Sequence, residues 1–281
     1  METKEKEKLF IIKVGGAVVE TPDSLDRLLK DFAALPGRKV LVHGGGRRAT
    51  KVAAALGIES KMVGGRRITD AGMLEVVTMV YGGLVNKNLV AKLQANGVNA
   101  LGLTGADMDI IRSRKRPPVL LPASPQPSLN TQHPTPNTSP IDFGFVGDVE
   151  HADGDRLAAL IEKGITPVLA PLTHDGRGNI LNTNADTIAG ETAKALAPSY
   201  DVTLVYSFEK KGVLARPDDD DSVIPVITRS DFNRLVAEGI IAGGMIPKLE
   251  NALAAVDAGV KEVIITLATA IDGHHGTVIK R

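Results

Sequence analysis

The sequence contains no cysteine among its 281 residues. A disulfide framework, a cysteine nucleophile, an iron–sulfur cluster and cysteine-ligated zinc are therefore excluded. Tryptophan is also absent and aromatic residues make up only 3%, so the chain has few side chains on which single-stranded nucleic acids could stack. Its 33 basic and 33 acidic residues balance, whereas proteins that bind nucleic acid without regard to sequence normally carry a basic excess. We expect no nucleic-acid partner.

Long hydrophobic runs are missing as well. No apolar segment approaches the roughly 20 residues that a membrane-spanning helix needs. The N-terminus, METKEKEKLF, is charged and has no apolar core, so it lacks the pattern of a signal peptide. We expect a cytoplasmic protein without a membrane partner, and the lack of cysteine fits a reducing compartment.

The remaining composition is that of an ordinary globular protein, with 43% hydrophobic and 23% charged residues. Short apolar runs, predicted to be strands, alternate with longer helical patterns that stop at glycine or proline. This alternation predicts an α/β fold with a parallel sheet covered by helices. The predicted strands are 9–14, 39–42, 100–103, 166–170, 202–206 and 262–267, and the predicted helices are 24–35, 47–56, 70–96, 155–163, 186–196, 231–238 and 247–257.

Residues 117–140 interrupt this alternation, because they contain 8 of the 16 prolines. Proline lacks the backbone donor that helices and central strands need, so the segment is predicted to be an irregular, exposed excursion. The acidic run at 218–221 is predicted to be a second loop. Four adjacent carboxylates also suit a divalent cation, but nothing in the run specifies a coordination geometry, and we expect a solvated turn.

Several known signatures are absent. There is no G-x-x-x-x-G-K-[ST] sequence, which excludes a P-loop NTPase, and no G-x-G-x-x-G follows a strand, so the dinucleotide-binding fingerprint is missing. The HGGG sequence at 43–46 resembles the oxyanion loop of lipase-type hydrolases. Those enzymes need a serine in G-x-S-x-G, which the chain does not contain.

Glycines directly follow two of the predicted strands. Gly15 and Gly16 come after the first strand, and Gly44 and Gly45 come after the second. Open α/β sheets bind ligands at the carboxyl ends of their strands, where bare backbone N–H groups favour anions. Lys13 ends the first strand, and its ammonium lies either in solvent at a sheet edge or in the same crevice. These residues predict a crevice that binds phosphate or carboxylate groups.

A third glycine cluster, at 242–248, contains Gly244 and Lys248. Pro247 indicates the first turn of a helix. A lysine in that turn faces the positive end of the helix dipole, which is unfavourable by about 0.3–1 kcal/mol. A strongly anionic ligand would reverse that sign, so Lys248 is a candidate for a second anion-binding cation.

The NTNAD sequence at 182–186 opens another predicted helix. Asparagine and aspartate are preferred helix caps, but one cap does not need three such residues. Asp186 is a candidate partner for the amines of Lys13 and Lys248, which would otherwise repel each other. Arg67 is a candidate for gripping a carboxylate with its guanidinium, although paired arginines usually lie on surfaces.

Six short sequences occur in a characteristic order. They are KVGG at 13–16, HGGG at 43–46, GRRIT at 65–69, GFVGD at 144–148, NTNAD at 182–186 and GGMIPK at 243–248. In this order they resemble the acetylglutamate kinases of arginine biosynthesis, which belong to the amino-acid kinase superfamily. The resemblance extends over residues 9–280 apart from the proline-rich segment. Residues 208–214 and the acidic run are most similar to the Bacteroidetes type of this family.

The resemblance implies a three-layer αβα sandwich around a central, mainly parallel open sheet. It implies an N-terminal lobe, residues 1–178, that binds the acylated glutamate and forms the dimer. A C-terminal lobe, residues 179–281, would bind ATP. The catalytic residues implied are Lys13 and Lys248, which stabilise the transferred phosphoryl group, and Asp186, which organises both lysines.

The same resemblance assigns the binding residues. Gly44, Gly45, Arg67 and Asn182 would bind the substrate. The residues that would contact the nucleotide are Gly15, Gly16, Glu209, Lys211, Gly212, Leu214 and Gly244. The cofactors implied are ATP and Mg²⁺, and no residue of the chain is assigned as a metal ligand.

The implied activity is phosphorylation of the γ-carboxylate of an N-acyl-L-glutamate. In phosphoryl transfer the protein mainly positions groups and neutralises charge, which two lysines and two glycine loops can do. A γ-carboxyl group has an ordinary pKa of about 4.3 and is ionised at neutral pH. No catalytic base is therefore needed.

Two departures from the family pattern matter. The sequence FEKKG at 208–212 stands where the family often has Asp-Val before the loop glycine, so the adenine contacts are left open. The first predicted strand begins near residue 9, whereas arginine-inhibited members carry an extra N-terminal helix. We therefore expect a homodimer without arginine feedback.

Three alternatives stay open at this point. The Bacteroidetes lineage can use N-succinyl intermediates, so N-succinylglutamate is an alternative substrate, and Arg66 is the candidate cation for its additional carboxylate. Another small-acid or carbamate kinase of the superfamily is the second alternative. A catalytically inactive binding protein is the third.

Overall fold

A computed structural model describes residues 5–120, 140–243 and 245–281. These residues form fourteen strands and nine α-helices. The strands are β1 (Lys8–Val14), β2 (Arg38–His43), β3 (Met62–Val63), β4 (Arg66–Arg67), β5 (Ala100–Leu103), β6 (Ile111–Lys115), β7 (Gly147–Ala152), β8 (Thr166–Leu169), β9 (Leu172–His174), β10 (Ile180–Asn182), β11 (Asp201–Phe208), β12 (Val226–Ile227), β13 (Glu262–Leu267) and β14 (Thr277–Ile279). The helices are α1 (Gly16–Glu20), α2 (Pro22–Ala34), α3 (Gly46–Ala55), α4 (Ala71–Val77), α5 (Asn86–Ala95), α6 (Gly154–Glu162), α7 (Ala185–Leu196), α8 (Arg229–Ala237) and α9 (Met245–Asp257).

Eight strands form the central sheet, in the order β12-β14-β13-β11-β1-β2-β8-β5. Neighbouring strands run parallel except for β13 and β14. Strand β1 lies between β11 and β2, with Lys13 opposite Tyr206 on one side and Val42 on the other. All six strands predicted from the sequence belong to this sheet, so the prediction of a mainly parallel sheet is confirmed.

Both faces of the central sheet are covered by helices. In β1, Leu9 and Ile11 belong to a core that includes residues of α6, α7 and α9. Ile12 and Val14 belong to a second core, with residues of α2, α3 and α5. Alternate residues of a strand face opposite sides of a sheet, so the continuous apolar run supplies both cores. The two helical layers and the sheet make the predicted three-layer αβα sandwich, which is confirmed.

The helix ends follow the capping signals in the sequence. Helix α2 has Pro22 in its first turn, and the side chain of Asp70 accepts a hydrogen bond from the Met73 N–H at 2.8 Å to cap α4. Gly97, which follows α5, has a φ of 76°, a conformation that glycine adopts without steric penalty. No helix in the described part of the chain is long and apolar enough to cross a membrane.

The helix predicted over 70–96 is not a regular α-helix, and this prediction is corrected. Between α4 and α5, Thr78–Val85 forms a π-helical segment, whose turns are wider than those of an α-helix. This segment places Tyr81 against Gly45, where an added Cβ would lie 2.9 Å from the tyrosine Cδ1. Hydrophobic periodicity does not reveal such a segment, because the helices on both sides keep their apolar faces on the same core.

A second sheet was not predicted from the sequence. Strands β10, β9, β6 and β7 form it in that order, with β6–β7 and β9–β10 antiparallel, and β3 and β4 form a separate hairpin. These strands are short, and β6 has the sequence IRSRK. A segment as polar as this one is not predicted to be a strand from its composition, because its pairing with neighbouring strands decides its conformation.

Most of the proline-rich excursion predicted over 117–140 lies outside the described residues. The description ends at residue 120 and resumes at residue 140. At the base of the excursion, two backbone hydrogen bonds of 3.0 and 2.9 Å join Val119 and Ile141. The two ends of the segment are therefore held side by side.

Candidate active site

Three neighbouring strands end at the same edge of the central sheet. Strands β11, β1 and β2 run parallel and adjacent, and they lead into Glu209, Gly15 and Gly44 respectively. Helices α1 and α3 begin directly after the second and third of these strands. The fold thus brings the two predicted glycine pairs to one crevice, at the edge where open α/β sheets bind ligands.

Lys13 forms an ion pair with Asp186, in which Nζ lies 2.6 Å from Oδ1. The side chains are 13% and 27% exposed. Asp186 lies in the first turn of α7, where the side chain of Asn184 accepts hydrogen bonds from the N–H groups of Asp186 and Thr187. The Tyr206 hydroxyl donates to the Asp186 carbonyl at 3.2 Å. Of the two positions considered for the Lys13 ammonium, the structure shows the one in the crevice.

Lys248 lies in the first turn of α9, in which Pro247 is the third residue and not the first. Its Nζ lies 3.6 Å from the centroid of the Phe208 ring. Burial lowers the pKa of Lys248, Asp186 opposes that change, and the positive charge of Lys13 adds to it. Asp186 therefore acts on both lysines, by direct contact with Lys13 and at longer range on Lys248.

The two glycine loops lie against each other, and we call residues 15–16 and 44–46 the glycine wall. A Cβ on Gly44 would lie 3.3 Å from the Gly16 nitrogen, and a Cβ on Gly16 would lie 3.7 Å from the nitrogens of Gly45 and Gly46. Tyr81 closes the remaining space beside Gly45. A side chain at Gly45 would clash with Tyr81, at 2.9 Å, and with glycine at all five positions the wall presents backbone to the crevice.

His43 and Asn86 support this wall, a role that the sequence analysis missed. His43 is fully buried, with Nδ1 2.9 Å from the Gly44 carbonyl oxygen and Nε2 3.1 Å from Asn86 Nδ2. The amide of Asn86 also donates to the Val168 carbonyl at 2.9 Å. Because the amide nitrogen donates, Nε2 accepts and the ring proton lies on Nδ1. Burial lowers the pKa of His43 to about 4, so the ring is neutral near pH 7.

A cavity of about 190 Å³ is lined by Gly44, Gly45 and Gly46 of the glycine wall. Two arginines and no carboxylate line it in the described residues, so an anion suits it. We call it the arginine cavity. Its lining includes all four residues predicted to bind the substrate and one further arginine: Gly44, Gly45, Arg67, Asn182 and Arg66.

Arg67 is fixed in the wall of the arginine cavity and is only 7% exposed. Its guanidinium donates to the Gly46 carbonyl at 2.9 Å, to the Thr50 hydroxyl at 3.0 Å and to the Ser60 hydroxyl. A planar guanidinium held in this way keeps its orientation when a carboxylate arrives. The sequence analysis left open a surface location for Arg67, because paired arginines usually lie on surfaces. The structure instead places Arg67 in the wall of the cavity.

Asn182 ends β10 and faces the arginine cavity. Its side-chain amide donates to the Thr69 hydroxyl at 2.9 Å, and its backbone N–H donates to the Phe145 carbonyl at 2.9 Å. The NTNAD sequence therefore contains three separate roles. Asn182 lines the cavity, Asn184 caps α7 and Asp186 joins the ion pair.

Arg66 is half-buried in the same cavity. Burial lowers its pKa, the positive charge of Arg116 lowers it further, and Asp148 opposes both effects. Arg116 itself donates to Asp148 at 2.9 Å, so one carboxylate faces two guanidinium groups. Arginine remains charged at any physiological pH, and this end of the cavity is therefore positive.

A second cavity, of about 530 Å³, is lined by Gly15, Gly16 and Gly46 of the glycine wall and shares Gly46 with the first. We call it the lysine cavity. Arg47 and Lys210 also line it, and Arg47 lies 3.2 Å from Glu209 across it. Its lining includes four of the predicted nucleotide-binding residues and both predicted catalytic lysines: Gly15, Gly16, Glu209, Gly212, Lys13 and Lys248.

Lys211 and Leu214, which were also predicted to bind the nucleotide, do not line the lysine cavity. Lys211 Nζ lies 2.7 Å from Asp221 in the exposed acidic loop, and Leu214 forms a backbone bridge with Val223. Gly244 lies outside the described residues. The acidic loop predicted as a solvated turn is thus paired with neighbouring cations.

Within residues 5–120, 140–243 and 245–281, no three or more histidine, aspartate or glutamate side chains are grouped so that they could hold a metal ion. Mg²⁺ at a nucleotide does not need such a group, because it keeps several waters and binds substrate phosphates with one or two carboxylates. Glu209 is a carboxylate on the wall of the lysine cavity, so the residues present fit a nucleotide-borne Mg²⁺.

Comparison with known proteins places the chain in a family. The amino acid kinase family matches residues 8–267. The chain is 65% identical over 276 residues to an acetylglutamate kinase of Bacteroides thetaiotaomicron, which is 98% of this chain and 100% of that protein. The chain belongs to the acetylglutamate kinase family. The family predicted from the six short sequences, and its Bacteroidetes-like type, are confirmed.

The fold of this chain is also similar to those of solved structures. The protein smu.665 from Streptococcus mutans is 28% identical, with a TM-score of 0.70 over 97% of this chain and 98% of that one. Carbamate kinase from Giardia lamblia has a TM-score of 0.63 at 16% identity, over 98% of this chain and 99% of that one. At that identity the likeness supports the fold alone.

Proposed function

We propose that this chain transfers the γ-phosphoryl group of ATP to the γ-carboxylate of an N-acyl-L-glutamate in arginine biosynthesis, with N-acetyl-L-glutamate as the first candidate. The observation that carries the proposal is the pair of cavities that are both lined by the glycine wall and share Gly46. The Lys13–Asp186 pair lies beside that wall. ATP in one cavity and the acylglutamate in the other would meet at this wall, next to the ammonium group of Lys13.

The arginine cavity suits the acylglutamate. Arg67 presents a fixed guanidinium, from which a carboxylate can accept a charge-assisted hydrogen bond. Asn182 adds an amide on the same lining. A glutamate derivative carries two carboxylates, so one can be held by Arg67 while the other faces the glycine wall.

The lysine cavity suits the phosphates of ATP. Lys13, Lys248, Arg47 and Lys210 face it against the single carboxylate of Glu209 in the described residues. Preorganised cations act most strongly where negative charge develops in the transition state. Mg²⁺, held mainly by phosphate oxygens and water near Glu209, would neutralise further phosphate charge.

The reaction needs no proton acceptor from the protein. The γ-carboxylate is ionised at neutral pH and attacks as an anion. The histidine nearest to the wall, His43, uses Nδ1 for Gly44 and Nε2 for Asn86. It is therefore part of the support and not a base.

The decisive experiment is ATP-dependent formation of an acyl phosphate, trapped with hydroxylamine as a hydroxamate. The acceptors are N-acetyl-L-glutamate, N-succinyl-L-glutamate, free L-glutamate and carbamate, and ADP release is measured in parallel. We expect a hydroxamate and equimolar ADP with an N-acylglutamate, and their loss in Lys13→Ala. Activity with carbamate alone would identify a different kinase of the family. No ADP release with any acceptor would leave a binding protein.

N-Succinyl-L-glutamate is the second candidate acceptor. The specific observation in its favour is Arg66, which lines the arginine cavity beside Arg67. A succinyl group adds a carboxylate at the acyl end, and burying that charge without a partner would be costly. Arg66 supplies the partner.

We also propose a homodimer formed through β5. This strand lies at one end of the central sheet in the described residues, and Leu101 within it is 39% exposed. A free strand edge offers unpaired backbone groups to a second copy. Sedimentation of the wild type should give a dimer that Leu101→Lys weakens, and a monomeric wild type would end this proposal. The lobes 1–178 and 179–281 and the cytoplasmic location stay predictions.

A further inference from the structure

The aromatic ring of Phe208 is a partner of Lys248 that the proposed function does not use. The Lys248 Nζ lies 3.6 Å from the ring centroid, whereas the other three cation–aromatic contacts in the described residues lie between 5.1 and 5.8 Å. Phe208 is the last residue of β11, and Lys248 is in the first turn of α9. The contact therefore joins the end of a central strand to the helix that carries the lysine.

The charges around Lys248 act in both directions, because burial and Lys13 lower its pKa whereas the carboxylates of Asp186 and Glu209 raise it. Lys13 repels it, and the positive end of the α9 dipole adds to that repulsion. The Asp186 carboxylate contacts Lys13 at 2.6 Å. In the described part of the chain, Lys248 forms no ion pair of its own within 4 Å. The negative face of an aromatic ring attracts an ammonium group, most strongly where water is excluded.

We propose that Phe208 is a positioning residue for Lys248, in which the ring face holds the ammonium group at the wall of the lysine cavity and keeps it protonated. The purpose of that lysine rests on the proposed function, but the contact can be tested without any substrate. Burial already lowers the pKa of Lys248. Loss of the ring should lower that pKa further, because the ring face favours the charged form of the amine.

The first experiment observes the lysine itself. Reductive methylation with ¹³C-formaldehyde gives each lysine amine an NMR signal, and Lys248→Arg identifies the Lys248 signal by its loss. In the full-length wild type we expect this signal to be displaced upfield by the ring current of Phe208. Phe208→Leu should return the signal to the position of ordinary lysines and lower the pH at which it titrates.

Two further variants separate the contact from general packing. Phe208→Tyr retains the ring face and should restore the upfield signal. Phe232→Leu removes a buried phenylalanine from α8, away from the cavity, and should leave the Lys248 signal in place. An undisplaced Lys248 signal in the wild type would overturn the proposal, even if Phe208→Leu failed to fold.

The second experiment measures kcat against pH at saturating ATP and acylglutamate. Phe208→Leu should lower kcat about 2- to 30-fold and move the alkaline limb to lower pH, and Phe208→Tyr should reverse the change in the limb. If Phe208→Leu raised the KM for ATP and left the Lys248 signal where it is in the wild type, Phe208 would be a nucleotide contact and the proposal would be wrong. An upfield signal in a wild type that forms no hydroxamate would confirm the contact while the proposed function failed.

Discussion

The Lys13 ammonium lies 2.6 Å from the Asp186 carboxylate, and this pair joins the first strand of the central sheet to the first turn of α7. Both residues are partly exposed, so solvent weakens the attraction and its value for stability is small. Its value for the site is geometric. One carboxylate placed between two amines allows Lys13 and Lys248 to face the same crevice, and that arrangement suits a ligand with several negative charges.

Removing either lysine should leave the fold intact and abolish most of the turnover. We expect Lys13→Ala and Lys248→Ala to lower kcat about 10²- to 10³-fold, because each deletes charge stabilisation of the kind worth about 3–4 kcal/mol in other active sites. Lys194→Ala is the matched control, since it removes a lysine of α7 that pairs with Glu191 at 2.7 Å. Near-normal kcat in a purified, folded Lys13→Ala or Lys248→Ala would contradict the assignment.

Arg67→Ala should act on the acceptor and not on the nucleotide. The guanidinium lines the arginine cavity, so its loss should raise the KM for the acylglutamate by about tenfold or more while the KM for ATP stays nearly unchanged. Arg67→Lys keeps the charge but loses the planar fork, and we expect it to restore only part of the affinity. Arg229→Ala, at a surface pair with Asp257, is the control. If only the KM for ATP changed, Arg67 would bind the nucleotide and its assignment to the acylglutamate would be wrong.

Much of the site could be predicted because it follows strand ends. Gly15, Gly44 and Lys13 come directly after or at the end of apolar runs, and parallel strands bring such positions to one edge. The role of Asp186 as a partner of Lys13 could be predicted for a related reason. The start of α7 contains more polar residues than one helix cap needs, so a further role for one of them was expected. Each of these patterns is local in the sequence, and the structure places its residues at the strand end or helix start that the pattern predicts.

The missed features depend on contacts between distant segments. His43 at the end of β2 meets Asn86 at the start of α5 only in the folded chain, because the two residues are 43 positions apart in the sequence. Phe208 meets Lys248 only after α9 has packed on the central sheet. No local pattern encodes either contact, and the second sheet was missed for the same reason, because its polar strands acquire their conformation from one another.

The buried, neutral His43 should make the fold sensitive to acid. Its pKa is about 4 in the folded chain and about 6.5 when unfolded, so the unfolded state binds more protons between these values. Stability from this residue is therefore complete above pH 6.5 and falls as the pH drops toward 4, by about 3 kcal/mol in total. Urea unfolding at several pH values should show a shallower acid dependence in His43→Gln. The exposed His151→Gln is the control and should behave as the wild type does; equal slopes in all three would refute the account.

The excursion predicted over 117–140 should be dispensable for the fold. Val119 and Ile141 are already joined by two backbone hydrogen bonds, and shortening a loop changes its closure free energy by only about 0.6 kcal/mol per halving. Replacing residues 121–139 with a short Gly/Ser link should therefore move Tm by no more than about 3 °C. A scrambled segment of equal length and composition is the control. A large drop in Tm with the short link, but not with the scrambled segment, would mean that length is needed; a drop with both would mean that its sequence packs on the core or on a partner subunit.

Arg66 should decide between the two candidate acyl groups. Its guanidinium lines the arginine cavity. Burial lowers the pKa of Arg66, Arg116 is close enough to lower it further, and Asp148, which is paired with Arg116, opposes both effects. Two guanidinium groups against one carboxylate leave this end of the cavity positive, so it attracts an anion and gains nothing from a neutral acetyl group. We expect Arg66→Ala to lower kcat/KM for N-succinyl-L-glutamate about 10- to 100-fold, as for the loss of a charge-assisted hydrogen bond, and to change kcat/KM for N-acetyl-L-glutamate far less. Arg66→Lys should recover part of the succinyl activity. Arg177→Ala, in an exposed turn, controls for the general loss of positive charge. If N-acetyl-L-glutamate is clearly the better substrate and Arg66→Ala changes neither value, then neither the succinyl substrate nor the role of Arg66 can be retained, and the positive end of the cavity serves only the glutamate carboxylates.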